Sequence, residues 1–161
     1  QEGLTTSFDP QWDPSEQWDL NLNSVFSHLD VFLPNESELM KLTGHENLDM
    51  AISALKGSKT TVVIKMGNKG SISLHEDKLL HIPPFLNKEV VDAIGAGDSF
   101  NAGFVAQFLR QASLDRCQEF GNLIGAISTT APGGTGAFKD PENIMGIAKE
   151  KFGYDANKST D

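Results

Sequence analysis

The feature that most constrains the fold is a run of very small residues that leads directly into a long amphipathic segment. Gly95, Ala96 and Gly97 are followed by Asp98, and apolar residues then recur at helical spacing as far as Leu109. The first N–H groups of a helix have no intrahelical acceptor, so a glycine-rich turn at this point lets an anion approach the backbone. The segment predicts a loop-to-helix junction that can hold phosphate, with Asp98 in the first helical turn.

A simpler alternative is an ordinary helix start, with the glycines serving the turn and Asp98 serving the helix dipole. Two widespread phosphate motifs do not fit. The pattern G-x-G-x-x-G meets Phe100 at its last position, and the segment from Gly57 to Thr60 has an extra residue before its lysine. Phosphoryl transfer needs N–H donors for the moving group and a base for the attacking hydroxyl, and this junction offers both side by side.

The longer stretch from Val91 to Phe104 resembles the signature of the ribokinase, or PfkB, carbohydrate kinases, which reads D-T-x-G-A-G-D-x-F-x-x-[AG]. Ala93 stands where threonine is commonest in that signature. The resemblance implies ATP-dependent phosphoryl transfer to a sugar hydroxyl, with Asp98 as the catalytic base. It also implies an anion hole formed by the backbone of the three preceding residues, Gly95, Ala96 and Gly97.

Residues 35–38 (Asn35 to Glu38) resemble the family's N-x-x-E motif, which acts on Mg²⁺ and phosphate through bound water. A carboxylate suits this role because Mg²⁺ prefers oxygen ligands and keeps several of its waters. The alternative is an asparagine cap with a glutamate in the first turn of a helix. The position of the motif ahead of the other landmarks favours the magnesium interpretation.

Residues 65–70 follow a predicted strand and resemble the family's K-x-G-x-x-G nucleotide loop. A tight β-turn would suit the same glycines. Asn122, on a later predicted helix, lies in a stretch that resembles the lining of the adenine pocket. The resemblance therefore predicts the following nucleotide-binding residues: Lys65, Gly67, Asn68, Gly70 and Asn122.

The run 128–134 resembles a stretch that lines a monovalent-cation site in many members of the family, and hard oxygen ligands of this kind suit K⁺. An ordinary helix end is an equal alternative. By analogy the oxygens would come from Asp92, Ile94, Ser128, Ala131 and Gly133.

Short strands alternate with helices in the first half of the chain and helices follow, which predicts an α/β fold with a mainly parallel sheet. The predicted strands are 4–8, 31–33, 60–65, 71–75 and 78–82, and the predicted helices are 20–29, 36–42, 48–55, 114–130, 142–152 and one that begins near Asp98. The resemblance implies a ribokinase-like three-layer sandwich, present only as its C-terminal half over residues 1–152, with a polar tail at 153–161. Because the sugar-binding half and its lid would be missing, we expect the fragment to be inactive alone.

The composition is that of an acidic globular protein, with a net charge of −9 and no basic run, which argues against nucleic acid or an anionic membrane as the main partner. No apolar run approaches the roughly 20 residues that span a bilayer. The single cysteine, Cys117, fits a reducing compartment, and we expect a cytoplasmic protein. Asp9 and Asp13 flank Trp12, but neighbouring prolines indicate turn chemistry.

The resemblance implies ATP and a sugar as small-molecule partners, and it allows a homodimer of the full-length protein. It leaves open a nucleoside or a vitamin-like alcohol as the acceptor. A third hypothesis is a relative that binds nucleotide without catalysis. The presence of Asp98 argues against that hypothesis, because a silent protein has no need of a base.

Overall fold

A computed structural model describes residues 3–155 and divides them into two compact units. Within the described residues, unit 1 comprises the chain up to Gly67 together with Ser71–His81, and unit 2 comprises Asn68–Gly70 and the chain from Ile82 onward. Each unit has a hydrophobic cluster of its own.

Unit 1 is built on a sheet whose strands lie in the order of the sequence. Its first three strands are parallel, and the fourth runs antiparallel to the third. The third strand is a β-branched run that is buried from its first to its fourth residue, as expected for a strand covered on both faces. The strands are β1 (Ser7–Phe8), β2 (Val31–Phe32), β3 (Thr61–Lys65), β4 (Ser71–His75) and β5 (Lys78–Ile82).

Three short helices belong to unit 1: α1 (Leu22–Phe26), α2 (Glu36–Thr43) and α3 (Leu48–Ser53). Each begins at an asparagine whose side chain accepts a backbone N–H of the first turn, at Asn21, Asn35 and Asn47. Their apolar side chains join those of the sheet in a cluster that includes Phe32, Leu39, Ile52, Val62 and Ile64. The connection from β2 to α2 is therefore held by the burial of Phe32 before it and by the Asn35 cap at its end.

Unit 2 contains α4 (Ala96–Phe108), α5 (Leu114–Ser128) and α6 (Ile144–Phe152). Glycines let α4 and α5 come close together. A β-carbon at Gly103 would lie 3.0 Å from the side chain of Ile124, and one at Gly121 would lie 2.9 Å from the ring of Phe100. A β-carbon at Gly125 would lie 3.1 Å from the carbonyl oxygen of Ala96, so α5 packs directly against the first turn of α4.

The α/β class is confirmed, and the sheet is mixed, with a parallel part followed by an antiparallel meander. The strands at 71–75 and 78–82 have the predicted bounds. The predicted helix at 20–29 is shorter, because Asn21 caps it and Ser27 already ends it. Helix α6 starts at Ile144, after a 3₁₀ turn, and ends at Gly153 in the left-handed conformation.

The domain assignment of residues 1–152 stays a prediction, and most of the proposed tail, residues 156–161, lies outside the described residues. Within residues 3–155, no helix has the length and apolar character needed to cross a bilayer.

The contact between α4 and α5 leads to a stability prediction. Gly121→Ala places a methyl group against the Phe100 ring, and we expect it to destabilise the protein by about 1–3 kcal/mol through overpacking. Gly146→Ala, at an exposed position of α6, is the control, because its β-carbon meets only the side chain of Asn143, which can rotate away. The control should be neutral or gain up to about 1 kcal/mol from helix propensity. Urea unfolding followed by circular dichroism measures both, and equal stability of the two variants would contradict the packing described.

Candidate active site

The start of α4 has the geometry of an anion site. Its N-cap is Gly95, in the left-handed conformation with φ of 74°, and the carbonyl of Gly95 accepts the N–H of Ser99 at 2.9 Å. A glycine cap has no side chain to accept the first-turn N–H groups. The N–H of Ala96 donates to the carbonyl of Ala93 at 3.2 Å, whereas Gly97 and Asp98 stand in the first turn, where N–H groups have no intrahelical acceptor. The Ala96 N–H therefore has a partner within the turn, and the first-turn N–H of Gly97 is directed away from the helix interior.

Asp98 lies in this same first turn, and its side chain is exposed. The next two residues, Ser99 and Phe100, are buried and hold the turn against the rest of unit 2. The helix dipole stabilises a carboxylate at this position. The structure therefore presents a charged oxygen and backbone donors side by side at the surface, as a base next to a phosphoryl group requires.

Two loops of unit 2 interlock beside the α4 start. One carboxylate oxygen of Asp92 accepts the N–H of Ile94 at 2.9 Å, and the other accepts the N–H of Gly133 at 2.9 Å. These hydrogen bonds lower the pKa of Asp92, that from Ile94 most strongly. A β-carbon at Gly95 would lie 2.9 Å from the α-carbon of Gly134, so only glycine permits this approach. The Asp92 carboxylate acts as a clamp between the two loops.

The residues predicted to bind a monovalent cation fall in or beside these loops. Ile94 and Gly133 lie next to Asp92, and Ala131 lies in the second loop. The buried hydroxyl of Ser128 donates to the carbonyl of Gly125 at 2.8 Å within α5. Four of the five residues lie in the interlocked loops: Asp92, Ile94, Ala131 and Gly133. The fifth, Ser128, is the last residue of α5, and its side chain is bonded inside that helix.

Asn122 has a structural role in unit 2. Its side-chain nitrogen donates to the carbonyls of Ile82 at 3.2 Å and Pro83 at 3.0 Å, and the residue is only 9% exposed. The amide thus holds the chain where β5 ends and the double proline begins. Contact with adenine stays a prediction for Asn122.

The predicted nucleotide loop forms a 3₁₀ turn over Gly67–Lys69. Gly67 has φ of 55° with open space where a side chain would be, and Asn68 is exposed. Gly70 has φ of 89°, and a β-carbon there would collide with the carbonyl oxygen of Ile82. Glycine is therefore required at position 70 by packing. Gly67 and Asn68 are exposed, and their contact with nucleotide stays a prediction.

In unit 1, polar side chains gather at the carboxyl ends of the parallel strands. Asp9 follows β1, Asn35 and Glu38 follow β2, and Lys65 ends β3. The Nζ atom of Lys65 donates to Oδ2 of Asp9 at 2.6 Å, and both side chains are largely buried. We call these four residues the strand-end cluster.

Asn35 and Glu38 form a capping box. The side-chain oxygen of Asn35 accepts the N–H of Glu38 at 2.9 Å, and Oε2 of Glu38 accepts the N–H of Asn35 at 2.7 Å. Glu38 is 6% exposed, and burial raises the pKa of its carboxyl group. The N–H of Asn35 lowers this pKa, the charge of Asp9 raises it, and the charge of Lys65 lowers it. The cap weighed as the alternative to a magnesium motif is thus present, and it fixes the orientation of the Glu38 carboxylate.

These residues fit Mg²⁺ held through water better than a metal enclosed by protein ligands. Over residues 3–155, no group of three or more His, Cys, Asp or Glu side chains is arranged to hold a metal ion. A nearby divalent cation would stabilise the ionised form of the Glu38 carboxyl group, whose pKa is raised by burial. Mg²⁺ usually keeps several waters and takes its other ligands from phosphate.

For Asp9 and Asp13 the sequence indicated turn chemistry, and Asp9 proves to be a member of the strand-end cluster as well. For Asp13 the turn interpretation holds, because its carboxylate accepts the N–H groups of Ser15 and Trp18, each at 2.8 Å. Asp9 also accepts an N–H of its own turn, from Gln11 at 3.2 Å, but it pairs with Lys65 as well. The signal available in the sequence was its place directly after a strand, at the same sheet edge as Asn35.

A model of the pfkB family carbohydrate kinases matches residues 2–141 of the chain. Ribokinase of Haemophilus influenzae is 36% identical over 118 residues, which are 69% of this chain and 38% of that protein. Cytidine kinase of Thermococcus kodakarensis is 32% identical over 123 residues, which are 73% of this chain and 44% of that protein. The chain thus spans less than half the length of these relatives.

Solved structures of ribokinases are also similar to this chain in fold. Ribokinase of Arabidopsis thaliana, complexed with ribose and ATP, matches with a TM-score of 0.76 at 26% identity, over 91% of this chain and 48% of that one. A ribokinase II homologue of Escherichia coli, in complex with ATP and Mg²⁺, matches with a TM-score of 0.72 at 27% identity, over 89% and 49%. The fold is ribokinase-like, as the sequence predicted.

The Asp92 clamp predicts a pH-dependent contribution to stability. Because the folded-state pKa of Asp92 is below its ordinary value of 3.8, the carboxylate stabilises the protein above that value and loses this effect as the pH falls through the folded-state pKa. Asp92→Asn can accept only one of the two N–H groups, so it should be less stable than the original protein at pH 7. The difference between the two free energies of unfolding should shrink towards pH 3. A difference that stays constant with pH would contradict the clamp.

The two glycines of the predicted nucleotide loop should respond differently to alanine. Gly67→Ala strains a left-handed residue in open space and should cost about 1 kcal/mol. Gly70→Ala adds a collision with the Ile82 carbonyl to the same strain and should cost about 3 kcal/mol or more. Thermal unfolding of the two variants side by side measures the difference. Equal melting temperatures would show that the close approach at Gly70 is not needed.

Proposed function

Because the chain belongs to the pfkB family of carbohydrate kinases, we propose that the full-length protein transfers the γ-phosphoryl group of ATP to a hydroxyl of a sugar. One observation carries the proposal: the exposed carboxylate of Asp98 and the first-turn N–H groups share the start of α4. This pairing suits phosphoryl transfer because the catalyst must accept a proton and stabilise charge at adjacent points.

In the proposed reaction the Asp98 carboxylate takes the proton of the sugar hydroxyl. The hydroxyl oxygen then forms a bond to the γ-phosphorus while the bond from that phosphorus to the bridging oxygen of ATP breaks, and ADP leaves. The N–H groups of Gly97 and its neighbours in the turn donate to the oxygens of the transferring group. Because the interlocked loops hold Gly95, the donors keep their direction during the reaction.

The ATP and magnesium roles follow the predicted motifs. When bound, Mg²⁺ neutralises charge on the phosphates. Asn35 and Glu38 would hold water molecules of its shell, and the capping box supports this role by fixing the Glu38 carboxylate. Gly67 and Asn68 would pass close to the nucleotide, which their open surroundings allow.

A monovalent cation such as K⁺ belongs to the same proposal. The oxygens of Asp92, Ile94, Ser128, Ala131 and Gly133 would serve it, as the resemblance implies. Support comes from the interlocked loops, in which Asp92 contacts the backbone at Ile94 and Gly133. A cation there would act on the α4 start through Gly95, which packs against Gly134.

A nucleoside is the second candidate acceptor, because a cytidine kinase is among the relatives at 32% identity. A phosphorylation screen of the full-length protein across hexoses, pentoses and nucleosides, with and without K⁺, distinguishes the acceptors. A cytoplasmic location, which suits ATP-dependent metabolism, and a homodimer of the full-length protein stay predictions.

The test of the catalytic base is Asp98→Asn in the full-length protein. We expect kcat to fall by about 10²–10⁴-fold, because the hydroxyl loses its proton acceptor, while nucleotide binding changes little. Asp115→Asn is the matched control, since Asp115 is also an exposed aspartate in the first turn of a helix, α5. Steady-state kinetics and nucleotide titration measure both variants. Near-normal turnover in Asp98→Asn would refute the assignment.

A further inference from the structure

Lys65 connects the three parallel strands of unit 1 at their carboxyl ends. Its backbone N–H donates to the carbonyl of Pro34 at 2.9 Å, and it pairs with Asn35 in a parallel β-bridge. Its side chain reaches across to Asp9, 2.6 Å away, beyond the end of β1. The sequence suggested a nucleotide ligand at this position, and that stays a prediction. In the structure the ammonium group pairs with the carboxylate of Asp9.

The cluster holds two carboxylates and one ammonium group in a place with little solvent. The side chains of Lys65 and Asp9 are 12% and 20% exposed, and Glu38 is 6% exposed. The electrostatic influence of Lys65 extends to Glu38, whose pKa it lowers, while Asp9 raises it. Charges with so little water around them are retained only when opposite charges compensate them.

We propose that Lys65 is the built-in counter-ion of Asp9 and Glu38, and that it keeps a divalent cation from binding these carboxylates in the absence of nucleotide. The ammonium group occupies the position at Asp9 that a cation would otherwise take. Repulsion between Lys65 and a divalent ion opposes entry of the metal alone, and phosphate groups that arrive with the metal offset this repulsion. Lys65 is thus a positioning residue, and its role in catalysis rests on the proposed function.

The experiment measures Mn²⁺ binding, as a probe for Mg²⁺, to the 161-residue chain without ATP or sugar. Calorimetry and the Mn²⁺-induced shift in melting temperature are the readouts. Lys65→Met should bind Mn²⁺ at least about tenfold more tightly than the original chain, because the ammonium charge that repels the metal ion is then absent. Lys65→Arg keeps the charge and should behave like the original chain.

The double variant Asp9→Asn/Lys65→Met serves as the internal control. Removing one carboxylate together with the ammonium group should abolish most of the gained affinity, which locates the Mn²⁺ at this cluster. Affinity in Lys65→Met equal to that of the original chain would overturn the proposal. An unchanged gain in the double variant would do so too, because the metal would then be bound elsewhere.

Loss of a buried counter-ion can unfold a protein, so Lys65→Gln is included as a neutral variant that can still donate a hydrogen bond to Asp9. Folding of either neutral variant only in the presence of Mn²⁺ supports the proposal. Failure of both to fold at any Mn²⁺ concentration counts against it, because a divalent cation must be able to replace the ammonium group. The readouts contain no kinase activity. If the test of Asp98 contradicted the proposed kinase activity, tighter Mn²⁺ binding by Lys65→Met would still support the role proposed for Lys65.

Discussion

The interaction on which unit 2 depends is the close backbone approach between the loop that ends at Gly95 and the loop that contains Gly133 and Gly134. The Asp92 carboxylate joins the two loops, and glycines at the contact remove the side chains that would hold them apart. This contact sets the left-handed turn from which α4 starts. A turn so held keeps its first N–H groups at the surface, where they can act on an anion without rearrangement at the moment of reaction.

The corresponding constraint in unit 1 is electrostatic. Parallel strands end at one edge of a sheet, so residues that follow different strands meet there although they are far apart in sequence. Asp9 and Lys65 lie 56 residues apart and form an ion pair of 2.6 Å. Glu38 adds a second carboxylate beside them, held by its own capping box. The same residues thus join the carboxyl ends of the strands and fix the orientation of the Glu38 carboxylate.

Glycine has two distinct roles in this protein, and only structure separates them. Gly67 and Gly70 belong to one sequence motif and both adopt positive φ. Space remains at Gly67 for a ligand, whereas Gly70 is enclosed by the backbone at Ile82 and the double proline. The sequence did not indicate the structural role of Asn122 either, whose side chain donates to the carbonyl of Pro83; its contact with adenine stays a prediction.

The sequence by itself determined the elements and the start of α4, since strand and helix signals, caps and glycine turns act over a few neighbouring residues. The β-branched run of β3 and the junction at Gly95 were predicted in this way, and the Asn35 cap was the alternative to the magnesium motif. The structure contains all three. Tertiary structure alone decided the partners: Lys65 with Asp9, Asp92 with Gly133, and Asn122 with Pro83. The physical reason is that these contacts join segments at least 39 residues apart, and their geometry exists only after the sheet and the α4–α5 pair have formed.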